Sequence, residues 1–558
     1  NYSNSLSSGY NLRTSAIYRA KLGKDGRTIT LNGNVNYSDR TSDADSWSNQ
    51  LGSLPDRPTI DPETGEWNPT DYFLPRYLRN LAPSSSYSLR GEFTYTEPVA
   101  KYAQVSLQYR AAYDHQERDK RSYETGSDFS IAGLLPDPTL SNAYESNYTT
   151  QRVGPGFRYS KDRNTFVANV YYQHSVLDGQ VTQGESEEIR HSYDDFTYFM
   201  MGQLMINREN SLRLFINSST SNPDVTSLQG VYDLSDAQNI SHGNPTLNPS
   251  YSHRINFHYI NSNVEKGRTF MWMFSLQSTS DYIGTHTVQN PSFTVDGETY
   301  TPNFYSTPVN LDGYLSLRTH LSYGFPIGFL RSNFNVMAGV SYTNTPSMYG
   351  MDDGGIDPET GAISGGERND TENMGYDFRA VLGSNISENV DFTLSWNGTY
   401  NEATNSLSTT NSKNRYFNHT ASGDLKIVFP LGFTLTASAA YTQYLGFTND
   451  YNDDYLLCNA YIGKKLFKNQ RGEIMFGVND IFNQNKSFVR TTGSGWTQNA
   501  TNSVIGRYFM VQFSFNLRRF GKKGSTNIKD YDGVEPAPRR RGMMGPGPGG
   551  PPPGFGPR

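Results

Sequence analysis

The residues that most often carry enzymatic chemistry are scattered along this chain, which has nine histidines and one cysteine. It contains no H-E-x-x-H zinc motif, no Walker phosphate loop and no G-x-S-x-G motif at a strand-to-helix turn; the GSG at residues 493–495 lies in a loop. His253 and His258 are five positions apart in a strand-like stretch, so they point to opposite faces and cannot chelate one ion. Cys458, within a predicted strand at 454–466, is expected to act as a small apolar residue rather than a reactive thiol. We predict no catalytic, cofactor-binding or metal-binding residues and no enzyme activity.

Acidic loop residues are the remaining candidates for a metal site. The hexapeptide IDPETG occurs at residues 60–65 and 356–361. Carboxylates from these segments, with Asp352, Asp353 or the group Asp450, Asp453 and Asp454, have the chemistry of calcium ligands. No twelve-residue calcium loop aligns, however, and the Asp, Pro and Gly positions suit a type I turn with a left-handed exit. We therefore favour solvated hairpin tips.

The elements that must position these residues are amphipathic strands, of which residues 506–520 (GRYFMVQFSFNLRRF) are the clearest example. Alternate residues share a face of a strand. One face carries Phe509, Val511, Phe513, Phe515 and Leu517, and the other is mostly polar. About ten alternating residues also suffice to cross a bilayer at a tilt.

The composition of the chain favours a membrane barrel over several soluble domains. Hydrophobic residues make up only 35%, yet aromatic residues reach 13%. A barrel accounts for both values, because only half of each strand faces lipid and aromatic girdles line both interfaces. No apolar run approaches the roughly 18 residues of a membrane helix. The net charge of −6 gives no general attraction to nucleic acid, so we expect no nucleic-acid partner.

The same unit recurs along the chain: strand, short turn, strand, long polar loop. We count about 19 strands and predict an all-β, transmembrane antiparallel β-barrel with short periplasmic turns, such as GKDG at 23–26, and long extracellular loops. The last strand then ends in the periplasm. A barrel with both ends inside needs an even strand number, so we expect about three strands upstream to complete 22. The chain opens without a signal-peptide pattern, which also leads us to expect upstream sequence.

The predicted organisation has three parts: a remnant at 1–9, the barrel at 10–520 and a tail at 521–558. The tail is rich in Lys, Arg, Gly and Pro and cannot fold alone. Extended Pro-rich segments suit docking because they lose little entropy on binding. We name Arg539, Arg540, Arg541 and Phe555 as partner-docking candidates.

Two motifs carry a family resemblance. The segment from Asn222 to Pro249, which ends in GNPTLNP before a strand, resembles the G-N-P-x-L-x-P region of TonB-dependent receptor-like barrels from Bacteroidota. VNDIFNQN at 478–485 is similar to another recurrent segment of that family. The resemblance covers about residues 10–520 and excludes the tail.

The resemblance implies a 22-stranded outer-membrane barrel that imports scarce nutrients with energy passed through TonB. The plug and the TonB-contacting segment of that family are absent from this chain, so contact with TonB would require a region N-terminal to it. Outer-membrane lipid is the expected surrounding. Arg90, Glu92, Gln104 and Arg110 are expected to line the lumen as generic residues of the substrate path, and no substrate site is assigned.

The alternative hypothesis for the function is a barrel of the same kind that serves as a structural or accessory subunit of a multiprotein outer-membrane assembly or export machine. It would dock on neighbouring outer-membrane or periplasmic proteins through its periplasmic tail. A passive porin ranks third, and a barrel protease or lipase has no local support.

Overall fold

The computed structural model is almost entirely β-structure. It describes residues 2–51, 73–137, 141–181, 188–228, 230, 232–233, 239–295, 298–351, 355–357, 360–384, 386–387, 389–407, 414–446, 453–467, 470–485, 487–493, 496–502 and 504–515. Within these ranges no helix has the length and apolar character needed to span a membrane.

The described residues form twenty-seven strands, one α-helical turn, α1 (Val225–Leu228), and two 3₁₀ turns (Gly328–Leu330 and Pro430–Gly432). In chain order the strands are β1 (Tyr2–Lys21), β2 (Thr28–Leu51), β3 (Phe73–Ala100), β4 (Ala103–Thr125), β5 (Asn142–Lys161), β6 (Asn164–Val181), β7 (Glu188–Met205), β8 (Asn210–Ser221), β9 (Tyr232–Asp233), β10 (Asn239–His242), β11 (Ser250–Asn263), β12 (Arg268–Ser280), β13 (Tyr282–Gln289), β14 (Phe293–Val295), β15 (Glu298–Tyr300), β16 (Phe304–Leu311), β17 (Tyr314–Ile327), β18 (Ser332–Met351), β19 (Glu367–Ser384), β20 (Val390–Asn405), β21 (Asn414–Val428), β22 (Phe433–Leu445), β23 (Asp453–Leu466), β24 (Gly472–Asn479), β25 (Ser487–Gly493), β26 (Trp496–Asn502) and β27 (Tyr508–Phe515).

Nineteen of these strands form one antiparallel meander, which confirms the predicted number. Strands β1 to β8 pair in sequence, β8 pairs with β11, β12 with β17, and β17 to β24 again pair in sequence before β24 pairs with β27. The remaining strands lie in the long connections. Within the described residues, β1 and β27 are each paired along one edge only.

The two faces of the meander differ as the alternation predicts. In β27 the side chains of Phe509, Val511 and Phe513 are 71%, 67% and 59% exposed, which is costly in water and favourable in hydrocarbon. The strand register aligns apolar residues of neighbouring strands on this face; for example, Val511 lies opposite Phe476 of β24. The opposite face is mostly polar and forms the lumen wall.

The connections alternate between a short-turn end and a long-loop end of the sheet. At the short-turn end, residues 22–27 join β1 to β2, residues 264–267 join β11 to β12, and the 3₁₀ turn Pro430–Gly432 joins β21 to β22. At the long-loop end lie the excursions between β8 and β11, β12 and β17, and β24 and β27. Short turns and long loops therefore alternate along the chain as predicted.

One predicted boundary is corrected. Residues 2–9, expected to be a remnant, belong to β1, because Tyr2 pairs with Trp47 and Gly9 with Arg40. Residues 38–51, a mostly polar stretch of the sequence, continue β2 and pair with β3 from Ser86 back to Phe73. The backbone ladder is independent of side-chain polarity, so the strands extend beyond the apolar band with polar residues on both faces. The first IDPETG, at 60–65, lies outside the described residues.

Candidate functional site

A large cavity lies on the lumen wall. It has a volume of about 1060 Å³ and is bounded by β1 to β6 and by residues 222–224 of the β8–β11 connection. Its lining is hydrophilic, with asparagines, serines, tyrosines and charged residues from alternate strand positions. Such a lining suits a water-soluble molecule and provides few contacts for an apolar one.

A row of charged and amide side chains crosses this wall at one level. In register, Glu92 of β3 faces Arg110 of β4, Arg110 faces Arg152 of β5, and Arg152 faces Gln173 of β6. Arg90, two residues from Glu92, lies 3.5 Å from the carboxylate of Asp114. The guanidinium of Arg152 lies over the ring of Tyr171, 4.3 Å from its centroid, a cation–π contact.

The connection between β8 and β11 packs onto this wall from inside. Leu228 of α1 and Leu247 are 0% and 2% exposed and contact the buried lumen-facing residues Tyr144, Leu177 and Ile189. The resulting apolar cluster fixes the connection against β5 to β7. Asp224 caps α1 by accepting the backbone N–H of Ser227 at 2.7 Å.

The GNPTLNP motif at 243–249 ties this connection to its neighbour. The Asn244 amide donates to the carbonyl of Pro308 at 3.0 Å, and Asn310 of β16 both accepts the backbone N–H of Asn248 at 2.8 Å and donates to its carbonyl at 3.0 Å. With Leu247 in the apolar cluster, the motif is a structural clamp. We refer to the described parts of 222–249, 281–313 and 355–366 as the loop cap.

The second IDPETG is part of the loop cap. Ile356 bridges Ile363, and Gly361 has φ of +63°, which confirms the hairpin tip with a left-handed exit. A Cβ at Gly361 would meet the ring of His242 at 2.2 Å, so glycine is needed for space as well. The tip is less solvated than expected, because Tyr305, 0% exposed, donates to the Gly361 carbonyl at 2.6 Å.

Burial governs the titration of groups in the loop cap. Desolvation raises the pKa of the Tyr305 phenol and lowers the pKa of the His286 imidazole. Both groups are therefore held neutral near pH 7. No group of three or more potential metal-ligating His, Cys, Asp or Glu side chains occurs among the described residues.

The second family-like segment, VNDIFNQN, closes the outer end of β24. Asp480 is 2% exposed, and its carboxylate accepts the backbone N–H groups of Gln484 and Asn485 at 2.9 and 3.0 Å. The Ile481 N–H donates to the Cys458 carbonyl at 2.8 Å, so the turn covers the part of β23 that β24 leaves unpaired. This motif is also structural.

The short-turn end has its own polar cluster and a cavity of about 760 Å³. The Glu97 carboxylate accepts hydrogen bonds from Arg27 at 2.6 and 3.0 Å, Tyr95 at 2.7 Å and Lys24 at 3.3 Å. These bonds join the β1–β2 turn to the β3–β4 turn. Hydrogen bonds from Arg27 and Tyr95 lower the pKa of the Glu97 carboxyl to about 2.

The predicted lumen residues divide between the two cavities. Arg90, Glu92 and Arg110 line the large cavity, as expected for the lumen, whereas Gln104 lines the cavity at the short-turn end. His253 and His258 lie on opposite faces of β11, with His253 accepting or donating at 2.8 Å to the Tyr198 hydroxyl. Cys458 is a free thiol in an apolar groove on the outer face, which agrees with its expected apolar role.

Some functional candidates were missed, and some predicted ones cannot be placed. Alternate residues of β5 face the lumen, and Arg152 lies on the face opposite that of Val153. The alternation of the sequence would therefore have identified Arg152. Thr197 of β7 and Asn222 line a smaller cavity beside Arg110. Strand pairing positions Thr197 opposite Tyr171 of β6, and the β8–β11 connection positions Asn222. The docking candidates Arg539, Arg540, Arg541 and Phe555 lie outside the described residues.

The sheet of amphipathic strands, its apolar outer band and its polar lumen define an outer-membrane β-barrel. Residues 20–401 and 355–516 match the outer membrane protein beta-barrel family, and the chain belongs to this family. The match is consistent with the TonB-receptor-like resemblance of the motifs. A search of curated proteins finds no significant match.

A comparison with solved structures finds several transporters and receptors. The copper transporter OprC is 10% identical, with 92% of this chain and 79% of that chain covered and a TM-score of 0.42. The ferric yersiniabactin uptake receptor FyuA from Yersinia pestis is 10% identical, with 92% and 79% covered and a TM-score of 0.36. The RagAB peptide importer is 10% identical, with 82% and 68% covered and a TM-score of 0.40.

Proposed function

We propose that this chain is the barrel of a TonB-dependent type outer-membrane receptor that takes up a hydrophilic nutrient. The observation that carries the proposal is the large polar cavity, which lies between a charged lumen wall and the β8–β11 connection packed against that wall. A purely structural barrel would gain more from filling this space with packed side chains. The GNPTLNP and VNDIFNQN segments support the receptor type.

The orientation follows from the connections. Short turns lie on the periplasmic side of such barrels and long loops lie outside. The loop cap then faces the exterior and β27, the nineteenth strand of the meander, ends on the periplasmic side. We therefore place the C-terminus in the periplasm.

Uptake by whole cells tests this proposal. A strain without the gene and the same strain carrying it on a plasmid are compared for uptake of a panel of radiolabelled hydrophilic solutes, each with and without a protonophore. We expect the plasmid to restore uptake of at least one solute and the protonophore to abolish the restored part, because import energy comes from the inner membrane.

The other outcomes discriminate the alternatives. Restored uptake that persists with the protonophore would indicate a passive porin. If no solute of the panel depends on the gene, the import proposal fails and the accessory-subunit role becomes the better account.

A further inference from the structure

Three guanidinium groups project from adjacent strands into one part of the lumen, where they outnumber the two nearby carboxylates, Glu92 and Asp114. Arg90, Arg110 and Arg152 come from β3, β4 and β5 and line, together with Asp114, a cavity of about 260 Å³ that adjoins the large one, and Glu92 faces Arg110 in register. Among the described residues, Arg90 is the one member of the three with an ion pair, at 3.5 Å from Asp114. Among the described residues no carboxylate lies within 4.0 Å of Arg110 or Arg152.

The arrangement is unfavourable without an anion. Arg110 is half-buried and lies directly opposite Arg152, and like charges facing each other across a strand pair destabilise it. Tyr171 neutralises none of this charge, since its ring only stacks on Arg152. A carboxylate or phosphate placed between the two guanidinium groups would accept charge-assisted hydrogen bonds from both.

The same small cavity contains buried polar atoms that lack partners. The Thr197 hydroxyl belongs to a residue 4% exposed, and within the described chain neither this oxygen nor Oδ1 of Asn222 has a hydrogen-bond partner. Both residues line the cavity. An amide oxygen only accepts and a hydroxyl does both, so the missing partner must itself donate hydrogen bonds. Hydroxyl groups on a ligand meet that need.

We propose that this inner pocket, lined by Arg90, Arg110, Arg152, Thr197 and Asn222, binds the acidic group of a small hydroxylated solute, such as a carboxylated or phosphorylated sugar. The pocket has room for one sugar-sized head group, and the adjoining cavity accommodates a larger remainder. This inference rests on the proposed uptake function and names its substrate class.

Equilibrium binding to the purified chain in detergent micelles tests the inference without requiring transport. The probes are D-glucuronate, glucose 6-phosphate, D-glucose and succinate, followed by titration calorimetry. We expect the two acidic sugars to bind about ten times more tightly than glucose, which lacks the acid, and also more tightly than succinate, which lacks the hydroxyl pattern.

Variants locate the binding. Arg110→Gln should weaken both acidic sugars about tenfold, whereas Arg158→Gln should change affinity less than about twofold because Arg158, on the neighbouring strand β5, lines the cavity at the short-turn end. Thr197→Val, which keeps side-chain shape and removes the hydroxyl, should reduce the preference for glucuronate over succinate. Heat-modifiable gel mobility checks that each variant is folded.

Several results would overturn the inference. The inference fails if the wild-type chain binds glucuronate and glucose 6-phosphate no better than glucose. It also fails if Arg110→Gln and Arg158→Gln lose affinity equally. An acidic tetrapeptide, Gly-Asp-Glu-Gly, that binds ten times more tightly than glucuronate would show that the arginines receive a protein segment instead. Gene-dependent, protonophore-sensitive uptake of another solute would leave the proposed function intact while this inference fails.

Discussion

At the scale of single residues, Glu97 shows how one side chain joins two turns that are distant in sequence. Its carboxylate collects donors from Lys24, Arg27 and Tyr95 at the short-turn end of the sheet. Tyr95 lies two residues away on the same strand, but the sequence gives no sign of Lys24 and Arg27, because they come from the β1–β2 turn and depend on the strand register. Exposed pairs of this kind contribute little to stability individually, and their effect is clearest in titration.

The titration of Glu97 provides a direct test. The folded-state pKa of about 2 lies below the ordinary value of 4.5, so its contribution to stability is full above pH 4.5 and is lost as the pH falls from 4.5 toward 2. In ¹³C-labelled chain, the Glu97 carboxyl resonance should titrate near pH 2. Arg27→Gln should move this pKa upward more than Lys24→Gln does, because the Arg27 hydrogen bond is the largest cause. A wild-type pKa near 4.5 would contradict the observed bonding.

At the scale of elements, the loop cap depends on the GNPTLNP clamp. Leu247 is 2% exposed and packs against Tyr144, Leu177, Ile189 and Leu228. Leu247→Ala should destabilise the cap by about 2–5 kcal/mol, from lost transfer free energy and the cavity left behind. Hydrogen exchange of residues 239–249 and 304–311 should accelerate, while that of β17 to β23 should remain unchanged.

The chain provides a matched control for this substitution. Leu135 lies in the β4–β5 connection and is 88% exposed, so Leu135→Ala should leave exchange in the cap unchanged. Equal acceleration in both variants, or none in Leu247→Ala, would show that the clamp does not hold the cap in place.

The elements also show what sequence patterns convey and what they omit. Alternation identified the meander and its two faces, since period-two patterning follows directly from strand geometry. It missed the outer ends of β2 and β3, where backbone pairing continues through residues such as Ser42 and Asp43 without an apolar face. The sequence also did not predict the inner pocket, because Thr197 reaches it through the register of β6 and β7 and Asn222 through the folding of the β8–β11 connection.

At the scale of the whole molecule, the proposed orientation puts the loop cap outside the cell and the end of β27 on the periplasmic side. The sequence at 521–558 is rich in Lys, Arg, Gly and Pro, and we expect that it does not fold by itself. We propose that it docks on a neighbouring outer-membrane or periplasmic protein through Arg539, Arg540, Arg541 and Phe555, with arginines supplying bidentate contacts to acidic groups and the proline-rich backbone limiting the entropy of ordering.

Truncation before Gly521 tests the docking role of the tail. Native-gel purification from the source membrane should show partner bands with the full chain that disappear from the truncated chain, while heat-modifiable mobility confirms that the truncated barrel is folded. The triple change Arg539→Gln, Arg540→Gln and Arg541→Gln should remove the same bands. The matched change Lys522→Gln with Lys523→Gln should retain them, because those lysines adjoin the barrel. Unchanged co-purifying proteins after truncation would exclude tail docking, and the barrel would then engage its partners through other surfaces.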